Sequence, residues 1–231
     1  MTSKNYLRIP LLLLTIGLLT SCSSNNDWKK QGLNGKVKTF LELLYKPEKK
    51  FGEWDKGIYY SSGHRRLSFD NKGNLQLVEY LDKYNDLDGK VIFKRENGAV
   101  IEQEYYDSDG ELTSKTKYIS NSKDEREYIT YNKDGEKIQY GKSYFENSRI
   151  IKVQTQLFED KVEEEVTFLE YDQDGNLLRE KSTDKKGEIT YFRKYEYLAF
   201  DDHKNWTKRL IYVSEESEEP LTLEIREYKY Y

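Results

Sequence analysis

Tyr106-Asp107-Ser108-Asp109-Gly110-Glu111-Leu112 carries the reading of the fold. The aromatic residue ends one alternating run and Leu112 begins the next. Asp107 at the head of the interval can accept hydrogen bonds from backbone N–H groups two or more residues on, holding the chain in a turn. Gly110 supplies the positive φ that a tight turn closed by a bulge requires. The pattern returns as Phe69-Asp70-Asn71-Lys72-Gly73-Asn74-Leu75 and as Tyr171-Asp172-Gln173-Asp174-Gly175-Asn176-Leu177. Tyr131-Asn132-Lys133-Asp134-Gly135-Glu136-Lys137 keeps the turn without the last aliphatic residue, and Tyr84 to Lys90 carries one extra residue before Gly89. Asp184 to Ile189 lacks the aromatic, and Phe200 to Trp206 has Lys204 in the glycine's place. The repeated message is strand, tight turn, strand.

Outward from these turns the chain alternates with period two. Ile189, Tyr191, Tyr195 and Tyr197 share one face, and Leu223 and Ile225 alternate with Thr222, Glu224 and Arg226. Val162, Val166 and Phe168 share a face with Glu164 as the misfit, and Val37 to Tyr45 reads as the first strand. Pro47 and Pro220 fall between strand-like runs. Hydrophobic residues make up 36% and charged residues 35%, and 21 Tyr and three Trp supply bulk that few aliphatic residues provide. A thin, Tyr-rich core follows. The turn glycines are unevenly spaced, which argues against a strict solenoid. The expected fold is all-β: an antiparallel meander of about 12–15 strands forming an elongated twisted sheet or an open barrel. Its Lys- and Glu-rich strands would guard the edges.

The recurrence of these turns over residues 66–231 resembles the YD-repeat (Rhs-type) proteins and, more loosely, the MORN-type repeat proteins with antitoxin-like members. Large YD-repeat proteins coil such hairpins into shells around a toxin, and this chain is too short for that. What the resemblance implies is a β-hairpin repeat and, among possible roles, an immunity or antitoxin-like one.

The N-terminus belongs to a different class of segment. Lys4 and Arg8 precede an apolar run, Ile9 to Leu19, too short to span a bilayer. It ends in Leu19-Thr20-Ser21-Cys22, which resembles the lipobox of bacterial lipoproteins. The resemblance implies cleavage between Ser21 and Cys22, acylation of Cys22, and attachment to a membrane through lipid. Ser23 in place of an Asp leans toward the outer membrane; the sequence leaves open whether the chain faces the periplasm or the outside. The expected organisation is therefore a signal peptide over 1–21, a flexible tether over 22–34, and a single β-repeat domain over 35–231.

Little catalytic chemistry is visible. One Cys excludes a disulfide framework or a Cys-based zinc site. The Asp-x-Asp-Gly turns at Asp107 and Asp172 mimic the middle of a calcium loop but lack its terminal bidentate Glu. His64 and His203 read as loop residues without a nucleophile or orienting partner. Lys and Arg are mixed with Asp and Glu at a net charge of −4, so no nucleic-acid footprint forms. No cofactor, metal site or catalytic residue is expected. The leading expectation is a non-enzymatic cell-envelope lipoprotein whose Tyr-rich sheet recognises an envelope or toxin partner. An immunity protein and a carbohydrate-binding accessory, using Trp28, Trp54 or Trp206 to stack on sugars, are the alternatives. No binding residue is singled out.

Overall fold

The structure, a computed structural model, describes residues 26–122, 124–158 and 162–231. The leader and the lipidation residues Ser21 and Cys22 lie outside them. One helical turn, α1 (Asp27–Lys30), precedes fifteen strands: β1 (Val37–Lys50), β2 (Glu53–Tyr59), β3 (His64–Phe69), β4 (Leu75–Leu81), β5 (Leu87–Glu96), β6 (Ala99–Asp107), β7 (Leu112–Asn121), β8 (Glu125–Asn132), β9 (Lys137–Glu146), β10 (Arg149–Phe158), β11 (Val162–Tyr171), β12 (Leu177–Asp184), β13 (Ile189–Phe200), β14 (Trp206–Tyr212) and β15 (Thr222–Tyr230).

From β3 onward each strand pairs antiparallel with the next, and β1 pairs with both β3 and β15. The sheet therefore closes into a fourteen-stranded barrel, with β2 outside the ring. This corrects the expectation of an elongated sheet or open barrel. The closing register, Phe40 opposite Tyr228 through Tyr45 opposite Leu223, joins segments far apart in sequence. A closed barrel leaves no free edge in the ring, so charged strands are not needed there as edge guards.

Strand β1 is long enough to serve two neighbours. Thr39 to Glu42 pairs with β3, and Tyr45 to Lys50 pairs with β2 across a register shift at Pro47. Pro47 thus lies inside a strand, at an irregularity where its missing N–H is tolerated. The β1–β2 hairpin leans over the outer wall. Tyr45 and Trp54 pack on Leu210, Tyr212, Leu223 and Ile225 outside β14 and β15, and Lys208 Nζ donates to the Trp54 carbonyl at 2.6 Å.

The repeated turns share one hydrogen-bond scheme. Asp107 N–H donates to the Glu111 carbonyl, Gly110 N–H donates back to Asp107, and Asp107 Oδ1 accepts from the N–H groups of Asp109 and Glu111. Gly110 has φ +83°. Backbone bonds of the same kind link residues 70–74, 132–136, 172–176, 184–188 and 201–205, with Lys204 in the left-handed region at φ +64°. Gly89 is a correction. It lies inside β5 opposite Tyr80 and Asp107, and the turn before it is Asp82 to Asp86, with Asn85 at φ +67°. Asn replaces Gly there because its short polar side chain tolerates that backbone.

The expected tether is also shorter than residue 34. From Asp27 on, the segment folds onto one end of the barrel. Trp28 and Leu33 are buried in the main core, and Trp28 Nε1 donates to the Val37 carbonyl at 2.7 Å. Asp27, fully buried, accepts from Leu75 N–H and pairs with Lys30 and Arg95. Trp28 supplies the apolar surface that a tether would lack, which is why the chain orders here.

Candidate functional site: the barrel lumen

A ring of fourteen strands encloses more space than the eight that side chains alone fill. Here the lumen has two halves. Around β1 and β3–β6 it is apolar, filled by Phe40, Leu67, Phe69, Val78, Val91 and Phe93 beneath Trp28. Around β11–β15 it is ionic and aromatic. Period-two alternation sends Tyr191, Arg193, Tyr195 and Tyr197 inward from β13, and Glu224, Arg226 and Tyr228 from β15. Leu223 and Ile225, the apolar partners in that alternation, face outward under the β1–β2 hairpin. The usual polarity of a half-buried strand is reversed on this side.

The charges in the ionic half are nearly all tied. Glu42 accepts from Arg65 Nε at 2.5 Å and from Arg226 Nε at 2.8 Å. Its own burial opposes ionisation, but the two guanidiniums prevail and hold its carboxyl far below the usual range. Arg209 pairs with Glu224 and donates to Tyr197 Oη at 3.3 Å. Arg209 and Arg226 lie over Trp206 at 4.1 and 3.9 Å from the ring, and Arg226 also lies over Phe40 at 4.3 Å. Glu180 accepts from Tyr195 Oη at 3.1 Å, and burial pushes its carboxyl up.

Arg193 is the exception. It stands directly across from Glu180 in the β12–β13 register, yet among the described residues no carboxylate lies within 4.0 Å of it. Its one defined contact is the Tyr191 ring, 5.1 Å away. Arg193 borders a cavity of about 210 Å³ also lined by Glu180, Tyr195, Arg209 and Arg226, and by Lys30, Gly32, Ser148 and Gly175.

The outer wall has the opposite role. Lys94 lies 3.0 and 2.6 Å from Glu102 and Glu104, and Lys115 lies 3.7 and 3.6 Å from the same two carboxylates. Lys142 bridges Glu125 and Glu127, and Arg179 bridges Glu170 and Glu215. These ion pairs occupy outward positions on β5–β9 and β11–β12, where a membrane barrel presents an apolar band. An outer depression of about 650 Å³ over β10–β13 exposes Ile151, Phe168 and Ile189 beside Arg179 and Lys181.

The residues anticipated from the sequence fall mostly outside the lumen. Asp70, Gly73, Asp107, Gly110, Gly135, Asp172 and Gly175 are turn residues at the two barrel ends. Gly73 and Gly175 lie at the end that α1 covers: the Asp27 N–H donates to the Gly73 carbonyl at 2.8 Å. His64, expected in a loop, opens β3 and is fully buried, its ring stacked on Tyr59 at 4.0 Å. Trp28 and Trp206 are buried and Trp54 packs under its hairpin, so none offers a free face for a sugar. On the face expected to be a Tyr-rich recognition surface, Tyr195 and Tyr197 point into the lumen. Glu224 and Arg226 were read only as the polar half of an alternation, and Glu42, Glu180, Arg193 and Arg209 were not singled out at all. A signal was present for Glu42, Arg193, Glu224 and Arg226, each of which shares a strand face with an aromatic residue; Glu180 and Arg209 alternate with none. Among the described residues, no group of three or more His, Cys, Asp or Glu is placed to hold a metal ion.

The geometry defines a closed, all-antiparallel β-barrel with a plugged, partly ionic lumen. Among solved structures the chain is similar to a porin-like protein from Bacteroides vulgatus, at 15% identity and TM-score 0.50, over 84% of this chain and 98% of that one. A porin-like protein from Bacteroides uniformis follows at 7% identity and TM-score 0.46, over 85% and 98%. No family model matches the sequence, and no curated protein matches it.

Proposed function

We propose that this chain is a non-enzymatic cell-envelope protein, held at the outer membrane by an acylated Cys22, whose barrel stands in water beside the bilayer and works by binding. The observation that carries this reading is the charged outer wall. Each Lys or Arg facing lipid at the bilayer midplane costs roughly 2–4 kcal/mol, and Lys94, Lys115, Lys142 and Arg179 all face outward. A water-facing barrel needs another means of attachment, which the lipobox at Ser21-Cys22 supplies. The porin-like name of the Bacteroides vulgatus protein agrees with an envelope setting. The lumen supports binding over catalysis, because its carboxylates are engaged by guanidiniums or hydroxyls and none is paired with a nucleophile.

The test is fractionation of cells producing the wild type and Cys22→Ser. The wild type is expected with the outer membrane, requiring detergent for release. The variant is expected in the soluble fraction with an undiminished β-sheet circular dichroism spectrum. A variant that still needs detergent would mean that the barrel itself enters the bilayer.

A further inference from the structure

The charge inside the lumen is unbalanced in one direction. The cavity beside Arg193 is lined by Lys30, Arg65, Arg193, Arg209 and Arg226 against only Glu180 and Glu224. The nearby carboxylates do not make up the difference. Glu42 is shared by Arg65 and Arg226, and Asp27 is shared by Lys30 and Arg95. The molecule as a whole carries −4, so the positive excess is local to the lumen. Burial works against the Arg193 charge, and Glu224 and Glu180 favour it only through space, with no carboxylate within 4.0 Å among the described residues; a bound anion would give its fork a direct partner.

From this we infer that the cavity is a binding site for a small ligand bearing an oxyanion, whether carboxylate, sulfate or phosphate, with Arg193 as its anchor. Three features fit that chemistry. Arg193 presents a planar fork suited to a two-oxygen group. Glu180, its cross-strand neighbour, accepts from the Tyr195 hydroxyl and makes no ion pair with Arg193 within 4.0 Å. The volume, about 210 Å³, suits one small molecule rather than a polymer. The α1 segment at Lys30–Gly32 and the turns carrying Ser148 and Gly175 complete the cavity's lining. The inference deepens the binding role proposed above and rests on it. It is independent of where the protein is anchored, so a failed fractionation test would leave it standing.

Isothermal titration of the full-length, detergent-purified protein tests it, using sodium sulfate, sodium phosphate and sodium glucuronate in separate runs. Sodium chloride at matched ionic strength and glucose are the controls. Saturable binding of at least one oxyanion is expected, with neither control binding; which probe binds tells a carboxylate ligand from a sulfate or phosphate one. Arg193→Gln should weaken that binding at least tenfold, and Arg193→Lys less. Arg179→Gln, on the outer wall, should leave it unchanged. Thermal melts without ligand establish that each variant is folded. Failure of all three oxyanions to bind would overturn the inference, as would equal loss in Arg179→Gln or full affinity in a folded Arg193→Gln.

Discussion

Glu42 is the residue on which the ionic half of the lumen turns. It is 2% exposed, and it is the carboxylate that joins Arg65 on β3 to Arg226 on β15 through β1, which lies between them. Replacing it with Gln keeps the volume and leaves two buried guanidiniums facing each other. Removing one partner of a buried ion pair costs about 3–5 kcal/mol. Urea unfolding of Glu42→Gln should show a loss in that range, and a loss below about 1 kcal/mol would mean that water reaches the site. His64 makes a second, pH-dependent prediction. Its Nδ1 accepts from the Leu44 N–H at 3.0 Å and its Nε2 lies 2.8 Å from the Tyr60 carbonyl, so the neutral ring fits both partners. Burial, against the opposing pull of the Tyr60 carbonyl and Asp82, lowers its pKa below the unfolded value near 6.5. The stabilisation is therefore complete above about 6.5 and is lost as pH falls through that value toward the folded pKa. The melting temperature should drop between pH 7.5 and 5.5 by more in the wild type than in His64→Gln. Glu180, whose raised carboxyl acts with the opposite sign, is common to both and cancels. Parallel pH profiles would exclude His64 as the source.

At the scale of elements, the repeated turns do two different jobs. Gly110 turns in open space, with nothing within 4 Å of where a Cβ would stand. Gly73 adopts a similar φ of +85°, but a Cβ there would lie 2.5 Å from Asn26 Nδ2 and 2.6 Å from two Trp28 ring carbons. Gly110→Ala should cost only the left-handed backbone penalty of roughly 1–2 kcal/mol. Gly73→Ala should cost that and the docking of the α1 segment as well. Denaturant midpoints should separate the two variants, and limited proteolysis ahead of Val37 should quicken only in Gly73→Ala. Identical midpoints would mean that α1 contributes nothing to stability. These turns also mark what was legible. Asp-x-x-Gly located the hairpins at residues 70–73, 107–110 and 172–175, because that chemistry is local. The uneven glycine spacing arises because other hairpins turn differently: Asn97-Gly98 and Asn147-Ser148 place two successive residues at positive φ. At residues 82–86 Asn85 does the work, which is why Gly89 misleads. The ionic face was legible as an alternation, Glu224 and Arg226 against Leu223 and Ile225, but its direction was not. Which face is inside depends on the β1–β2 hairpin covering the outer side, a contact with no local signature.

Closure belongs to the whole molecule, and nothing local announces it. The strands that meet, β1 and β15, are almost the full chain apart, and either would read the same at the edge of an open sheet. A cross-link distinguishes the two. Leu41 and Glu227 are directly opposed in the closing register, and both side chains face outward, away from the packed lumen. Directly opposed residues in an antiparallel pair have Cα atoms about 4.5–5.5 Å apart, within the span a disulfide accepts. In an open sheet of fourteen strands spaced about 4.8 Å apart, the same positions would lie tens of ångströms from each other. The variant Leu41→Cys with Glu227→Cys, in the Cys22→Ser background so that no other thiol is present, should oxidise within one molecule. Intact mass should fall by two hydrogens, taken up by the added oxidant, with no dimer on a non-reducing gel. The bridge closes a very long loop, so it should stabilise the oxidised form by about 2–4 kcal/mol over the reduced one. Free thiols or intermolecular dimers after mild oxidation would return the fold to an open sheet. The lumen would then lose its enclosing wall, and the Arg65–Glu42–Arg226 bridge across β3, β1 and β15 would lose the register that assembles it.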